Sequence, residues 1–240
     1  MQSSNADEWK RVYLASYPRS GNHWVRYLVE EATNIATSSV VADSGRGSVN
    51  DDPHLKKTFP WGGYCCRHGY NGTRSYPTKN DPVLIKTHFP TAPKRGINYK
   101  KRIGSIRIVR HPIDTFYSRY VLHKRSNAKE IIPRATVEDF IKSWREFQIY
   151  WNKQPDTITF RYEDLHAKPI FVLNKMLKAM KYSVSLTDVE RAIHKYPPQG
   201  IILKHINHFK KEDLELMALE LKDLLDQFGY TIPLTGENLL

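Results

Sequence analysis

The residues best suited to chemistry fall in separate clusters that a fold could bring together. The first is Arg19-Ser20-Gly21-Asn22-His23-Trp24, which follows the apolar run Val12-Tyr13-Leu14-Ala15 and a turn at Pro18. Trp24, Leu28 and Glu31 then recur at helical spacing, so the segment predicts strand, tight loop, helix. Such a loop aims several backbone N–H groups and the positive end of a helix at one point, and Arg19 adds a full charge; the expected occupant is a phosphate or sulfate. The second cluster, Lys86 and His88, ends the apolar run Val83-Leu84-Ile85. The third pairs Arg110, at the end of Ile103-Gly104-Ser105-Ile106-Arg107-Ile108-Val109, with Ser118 further along. A guanidinium and a hydroxyl so placed can approach one phosphate from a strand end and a helix. A lone histidine is by default structural, but one at a strand end beside an anion site is suited to moving a proton. The first loop lacks both Gly-x-x-x-x-Gly-Lys-Ser/Thr and Gly-x-Gly-x-x-Gly, and a plain scaffold turn in an α/β domain would read similarly.

The elements that must position these groups follow an α/β pattern. The three apolar runs read as buried parallel strands, and ligands of an open α/β sheet sit beyond the C-terminal strand ends, so Arg19, Lys86, His88 and Arg110 would share a crevice. Pro112 can start a helix with Ile113, Phe116, Tyr117 and Tyr120 as its apolar stripe. Val137 to Trp151 has helical periodicity, with Trp144, Phe147 and Trp151 facing a core. Thr157 to Arg161 reads as a strand, and Ile170 to Met180 and Leu214 to Phe228 as amphipathic helices, the last capped by Gly229. Between Ile35 and Asn80 the pattern weakens into a long irregular region with embedded aromatics such as Trp61, Tyr64 and Tyr76. A loop of that length is expected to be functional or disordered, or to cover the edge of the core.

With 240 residues at 40% hydrophobic content and no low-complexity divider, the chain is expected to form one domain, 1–240. A net charge of +12 implies an anionic partner: nucleic acid, a membrane surface or a small polyanionic cofactor. A polar Met1 to Arg11 and the lack of any 18-residue apolar run lead to the expectation of a soluble, cytoplasmic protein. Cys65 and Cys66 are adjacent, which strains a mutual disulfide. With His68 they lack the spacing and the second ligand pair of a zinc site, so no metal is expected. Gly72 stands where a phosphatase-like cysteine would need its arginine.

Taken in order, Tyr17-Pro18-Arg19-Ser20-Gly21-Asn22-His23-Trp24, Lys86-Thr87-His88, Arg110-His111-Pro112-Ile113-Asp114 with Ser118, and Tyr162-Glu163-Asp164-Leu165 resemble the sulfotransferase family that uses 3′-phosphoadenosine 5′-phosphosulfate (PAPS). The resemblance implies a single P-loop-like α/β domain with a central, mainly parallel sheet flanked by helices. It further implies that Arg19, Ser20, Gly21, Asn22, His23 and Trp24 hold the phosphosulfate, that Arg110 and Ser118 hold the 3′-phosphate, and that Trp24 and Tyr162 lie near the adenine. His88 would be the general base, Arg19 and Lys86 would neutralise the bridging and sulfuryl oxygens, and no metal would be required.

Several positions depart from the family pattern. The family's animal cytosolic members usually carry Lys at Arg19 and paired threonines at Asn22 and His23. A permanently charged Arg19 would act only through electrostatics and hydrogen bonds. His23 could donate to the phosphosulfate or compete with His88 for the base role. Anchored on Asn207-His208-Phe209, the family's Arg-Lys-Gly phosphate segment becomes Pro198-Gln199-Gly200, so other contacts such as Lys204 would be needed; the dimerisation signature is not recognisable.

The expected activity is sulfuryl transfer from PAPS to a hydroxyl, less often an amine, of a small-molecule acceptor, leaving adenosine 3′,5′-bisphosphate (PAP). The loop 44–80 is expected to form the acceptor pocket, and neither nucleic acid nor a membrane is an expected partner. A nucleotide kinase-like phosphotransferase, dependent on ATP and magnesium, and a non-catalytic nucleotide-binding protein are the alternatives.

Overall fold

The computed structural model describes residues 9–40, 64–65, 74–91, 102–124, 131–200 and 202–234. The chain runs through β1 (Lys10–Ser16), α1 (Asn22–Thr33), β2 (Ser38–Ser39), β3 (Tyr64–Cys65), β4 (Pro82–Thr87), β5 (Gly104–Val109), α2 (Pro112–Lys124) and α3 (Arg134–Asn152). It continues with β6 (Thr157–Arg161), α4 (Tyr162–Ala167), α5 (Pro169–Ala179), α6 (Leu186–Lys195), α7 (Lys211–Glu220) and α8 (Lys222–Phe228). The strands form one sheet in the order β3-β2-β4-β1-β5-β6, parallel throughout except for β3 at the edge.

Continuous apolar runs suit these strands because helices cover both faces of the sheet. Tyr13, Ala15, Val83, Ile85 and Val109 point into a layer shared with α2, α3, α7 and α8. Their neighbours Val12, Leu14, Leu84, Ile106 and Ile108 point the other way, against α1, α5 and α6. Trp144, Phe147 and Trp151 are core residues, as their spacing predicts. The helix after β1 lies on one face and the helix after β5 on the other, so the chain parts between them and opens a crevice at the carboxyl ends of the strands.

The expected single helix Leu214–Phe228 is two, α7 and α8. Leu221 between them leaves helical geometry at φ −107° and ψ 6°, and is itself fully buried. The bend turns Leu214, Met217, Leu221, Leu224, Leu225 and Phe228 toward the same core layer. Of the region 44–80, residues 44–63 and 66–73 lie outside the described residues, so the acceptor-pocket assignment falls largely there. The end of that region is stitched to the end of α1: Ala36 N–H donates to Ser75 O at 2.8 Å and Ser75 N–H to Asn34 O at 3.1 Å. Among the described residues, no helix is long and apolar enough to cross a membrane.

Two buried ionisable groups tie distant segments of the fold together. Glu31 on α1 meets Arg74, Lys195 at 2.8 Å and Arg191 at 3.5 Å. Burial pushes its carboxyl up, but Lys195 and Arg74 override this and hold it below its ordinary value. His111, just past β5, donates from Nε2 to Thr231 O at 2.9 Å and accepts the Ile113 N–H at Nδ1 at 3.3 Å. Burial pushes His111 down from 6.5 to about 4, against the Thr231 hydrogen bond and Asp114. Between those values the unfolded chain binds the proton that the folded chain refuses, so stability must fall as pH drops through 6.5 toward 4. Urea titrations should show about 2 kcal/mol less stability at pH 5 than at pH 7 from this group, and His111→Gln should flatten that slope. An unchanged slope in the variant would assign the acid sensitivity elsewhere.

Candidate functional site

The loop between β1 and α1 is shaped by two left-handed residues, Arg19 at φ 74° and Gly21 at φ 96°. Gly21 is also a close-approach position: a Cβ there would lie 2.5 Å from Cδ2 of Tyr162. Only glycine lets the loop pack on that ring. Gly21 is the N-cap of α1, no side chain caps the helix, and no acidic residue occupies its first turn. The leading amides of α1, on Asn22, His23 and Trp24, are therefore left by the helix itself without an intrahelical acceptor. Ser20 Oγ and Asn22 Oδ1 are buried with no hydrogen-bond partner, while His23 is exposed. Behind the loop, Tyr17 OH bonds Ser143 Oγ at 2.7 Å and is capped by Arg119, a polar clamp that sequence reading did not find.

Beyond the loop lies a cavity of about 510 Å³, lined by Arg19, Arg110, Ser118 and Tyr162 together with His166, Gln199, Gly200, Lys204 and His205. Arg19 Nε donates to Ser118 Oγ at 2.9 Å, and Arg110 Nη1 donates to the Arg19 carbonyl at 3.2 Å. Three residues expected to meet phosphate groups are thus linked through Arg19. The Arg110 guanidinium lies over the Tyr162 ring, 4.7 Å from its centroid, and its Nε is buried without a partner. Trp24 meets the Tyr162 ring at 5.6 Å, tilted by 66°, and its indole N–H donates to Tyr196 O at 2.8 Å. Burial raises the Tyr162 phenol above its ordinary value, against the pull of Arg110. Glu163 explains the motif that carries it: it accepts the His111 N–H at 2.8 Å and the Tyr230 hydroxyl at 2.6 Å, locking α4 to the end of β5 and to the segment after α8.

His88 stands just past β4, the strand that flanks β1. Its Nδ1 lies 2.5 Å from Ser16 O, the last residue of β1; a carbonyl only accepts, so Nδ1 carries the hydrogen and Nε2 keeps its lone pair. The flanking backbone is held too: Thr91 Oγ1 donates to His88 O at 2.5 Å, and Trp151 Nε1 to Phe89 O at 2.8 Å. Lys86, one pleat earlier, is buried within β4. Ser20, Asn22, His23, Trp24, Lys86 and His88 stand outside the lining of the large cavity, which gathers only the Arg19, Arg110, Ser118 and Tyr162 end of the expected site. Tyr117 stacks on His205 at 3.8 Å and lies near His208 at 4.3 Å, an aromatic wall whose partners are too distant in sequence to be paired by spacing. Among the described residues, no group of three or more His, Cys, Asp and Glu is disposed to hold a metal ion. Cys66 and His68 lie outside the described residues.

Rat Sulfotransferase 1 family member D1 is 20% identical over 214 residues, covering 80% of this chain and 69% of that protein. WSCD family members of Drosophila pseudoobscura pseudoobscura and Drosophila melanogaster are 43% and 42% identical over 58 and 57 residues, and the match spans only 18% of the length of each. A mouse sulfotransferase solved in complex with PAP superposes with a TM-score of 0.58 at 16% identity, over 92% of this chain and 88% of that one. A retinol dehydratase in complex with androsterone and PAP gives 0.54 at 14% identity, over 94% and 83%. At such identities the likeness is one of fold, a five-strand parallel sheet flanked by helices. The family described as "Sulfotransferase domain" matches residues 10–214, and this chain belongs to it.

Proposed function

We propose that this chain is a PAPS-dependent sulfotransferase that acts on a hydroxyl, or less often an amine, of a small molecule, with His88 as general base. What carries the reading is the convergence of Arg19, Arg110 and Ser118 on one cavity at the carboxyl ends of β1 and β5, with His88 at the tip of the adjacent β4. The residues present fit the cofactor. The α1 amides, which the helix itself gives no intrahelical acceptor, stand beside the buried Ser20 hydroxyl and the buried Arg110 Nε, which have no hydrogen-bond partner, and the oxygens of a phosphorylated nucleotide would suit all of them. PAP in the mouse structural relative supports the same cofactor class.

When bound, PAPS supplies an activated sulfuryl group with PAP as its leaving group. Arg19, Ser20 and the α1 amides would grip the phosphosulfate, and Arg110 with Ser118 the 3′-phosphate. His88 Nε2 would take the proton from the acceptor as its oxygen attacks. Arg19 and Lys86 would offset charge developing on the departing oxygen, and positioning with electrostatics would supply most of the acceleration, by analogy with phosphoryl transfer.

Incubation with PAPS and a metabolite pool in excess chelator, read by mass spectrometry, should show PAP release and an acceptor that gains one sulfonate. In thermal unfolding, PAP at a hundred times its dissociation constant should stabilise by about 2.7 kcal/mol. Activity that needs ATP and magnesium would favour the kinase-like reading. PAP binding without transfer to any acceptor would favour a binding protein.

A further inference from the structure

We propose that Lys204 supplies the cation that closes the cavity over the 3′-phosphate, and that Asp114 positions it by tying the Leu203 amide to the Arg110 guanidinium. The inference rests on reading this cavity as the PAPS site. It concerns a gap in that site: Pro198-Gln199-Gly200 stands where the family resemblance implies two positive charges, and Gln199 and Gly200 line the cavity without supplying any.

The segment that follows is fixed at two points on α2. Leu203 takes a left-handed conformation at φ 61°, which turns its N–H onto Asp114 Oδ2 at 2.8 Å. Two residues on, the His205 ring stacks on Tyr117 at 3.8 Å with planes only 17° apart. Asp114 and Tyr117 are one helical turn apart, and Ser118 follows Tyr117 directly, so Lys204 is held between anchors that flank the phosphate-facing side of α2. Lys204 itself is exposed and lines the cavity with Arg110 and Ser118.

Asp114 is fully buried, and the Oδ2 that accepts from Leu203 also lies 3.7 Å from Arg110 Nη2. One carboxylate oxygen therefore sets both the strand-end guanidinium and the loop that bears Lys204. Its Oδ1 has no partner, so the residue's hydrogen bonding is concentrated on this junction. His205 is not a rival for the cation: burial, with Lys204, His208 and Arg110 close by, pushes it from 6.5 down to about 4, so it is neutral near pH 7.

The test compares dissociation constants for PAP and for adenosine 5′-monophosphate, which lacks the 3′-phosphate. If the parent protein shows no preference for PAP, the PAPS reading itself fails. Given a preference, Lys204→Ala should weaken PAP roughly tenfold and leave the monophosphate unchanged. A preference that survives intact overturns the assignment of Lys204 and leaves the PAPS reading standing. Asp114→Asn keeps an acceptor for the Leu203 amide and loses the charge facing Arg110; it should weaken PAP selectively, and Lys204→Ala added to it should cost little more. Full additivity, or an Asp114→Asn protein that does not fold, overturns the positioning role in favour of a purely structural one.

Discussion

His88→Ala should lower turnover by about 10²- to 10⁴-fold while leaving PAP affinity close to the parent value. The size follows from how completely the ring's orientation is determined. Nδ1 is committed to the Ser16 carbonyl at 2.5 Å, the carbonyls of His88 and Phe89 are tied to Thr91 and Trp151, and Nε2 is the ring nitrogen that can take up a proton. Because His88 lines the strand tip and not the large cavity, its loss should be felt in chemistry and not in nucleotide binding. His88→Gln, which keeps a donor toward Ser16, should be equally inactive, since an amide cannot take up the proton. The base must be neutral, so the parent rate should rise as pH passes upward through the imidazole pKa, and that limb should vanish in both variants. His23 is the competitor: it is exposed in the first turn of α1 and adjoins the proposed phosphosulfate grip. An active His88→Ala protein alongside an inactive His23→Ala protein would move the base role to His23.

The parts of the site legible in the sequence are those that a parallel sheet writes locally. A strand buried on both faces tends to be a continuous apolar run, so Val12 to Ala15 and Val83 to Ile85 stand out, as does Ile106 to Val109 despite the buried Arg107 within it, and the polar residues that end them lie at the edge of the candidate site. The Arg19, Lys86, His88 and Arg110 positions can be found this way without any long-range information. What could not be read are partnerships across the chain. Leu203 gives no hint that its amide will meet Asp114, 89 residues earlier, nor does His205 that it will stack on Tyr117. Glu31 falls on an apolar stripe and is buried because Arg74, Arg191 and Lys195 arrive from distant segments to neutralise it. The division of α7 from α8 at Leu221 has no glycine or proline to announce it, since tertiary packing and not local preference bends the chain. A local signal does mark the start of α6, where Ser185 and Asp188 form a capping box.

Arg19→Gly should separate stability from activity. A non-glycine residue at φ 74° pays for its left-handed backbone with roughly 1–2 kcal/mol, while glycine, free of that strain, brings an entropic penalty of roughly 0.5–1 kcal/mol. The two nearly cancel, so the variant should unfold in urea within about 1 kcal/mol of the parent, on the stable side if anything. The Arg19 side-chain bond to Ser118 at 2.9 Å is solvent-exposed and adds little to that balance. Turnover should behave oppositely: a guanidinium aimed at charge that develops only in the transition state is worth about 10²- to 10³-fold. Arg19→Lys should restore part of the rate, because it keeps the charge and loses the planar fork. That pair of outcomes would mark the left-handed Arg19 as a backbone conformation kept for activity and not for folding. If Arg19→Gly instead lost more than about 2 kcal/mol of stability with turnover scaling only with the folded fraction, the Arg19–Ser118 contact would be scaffold, and the charge that drives transfer would have to come from Lys86 alone.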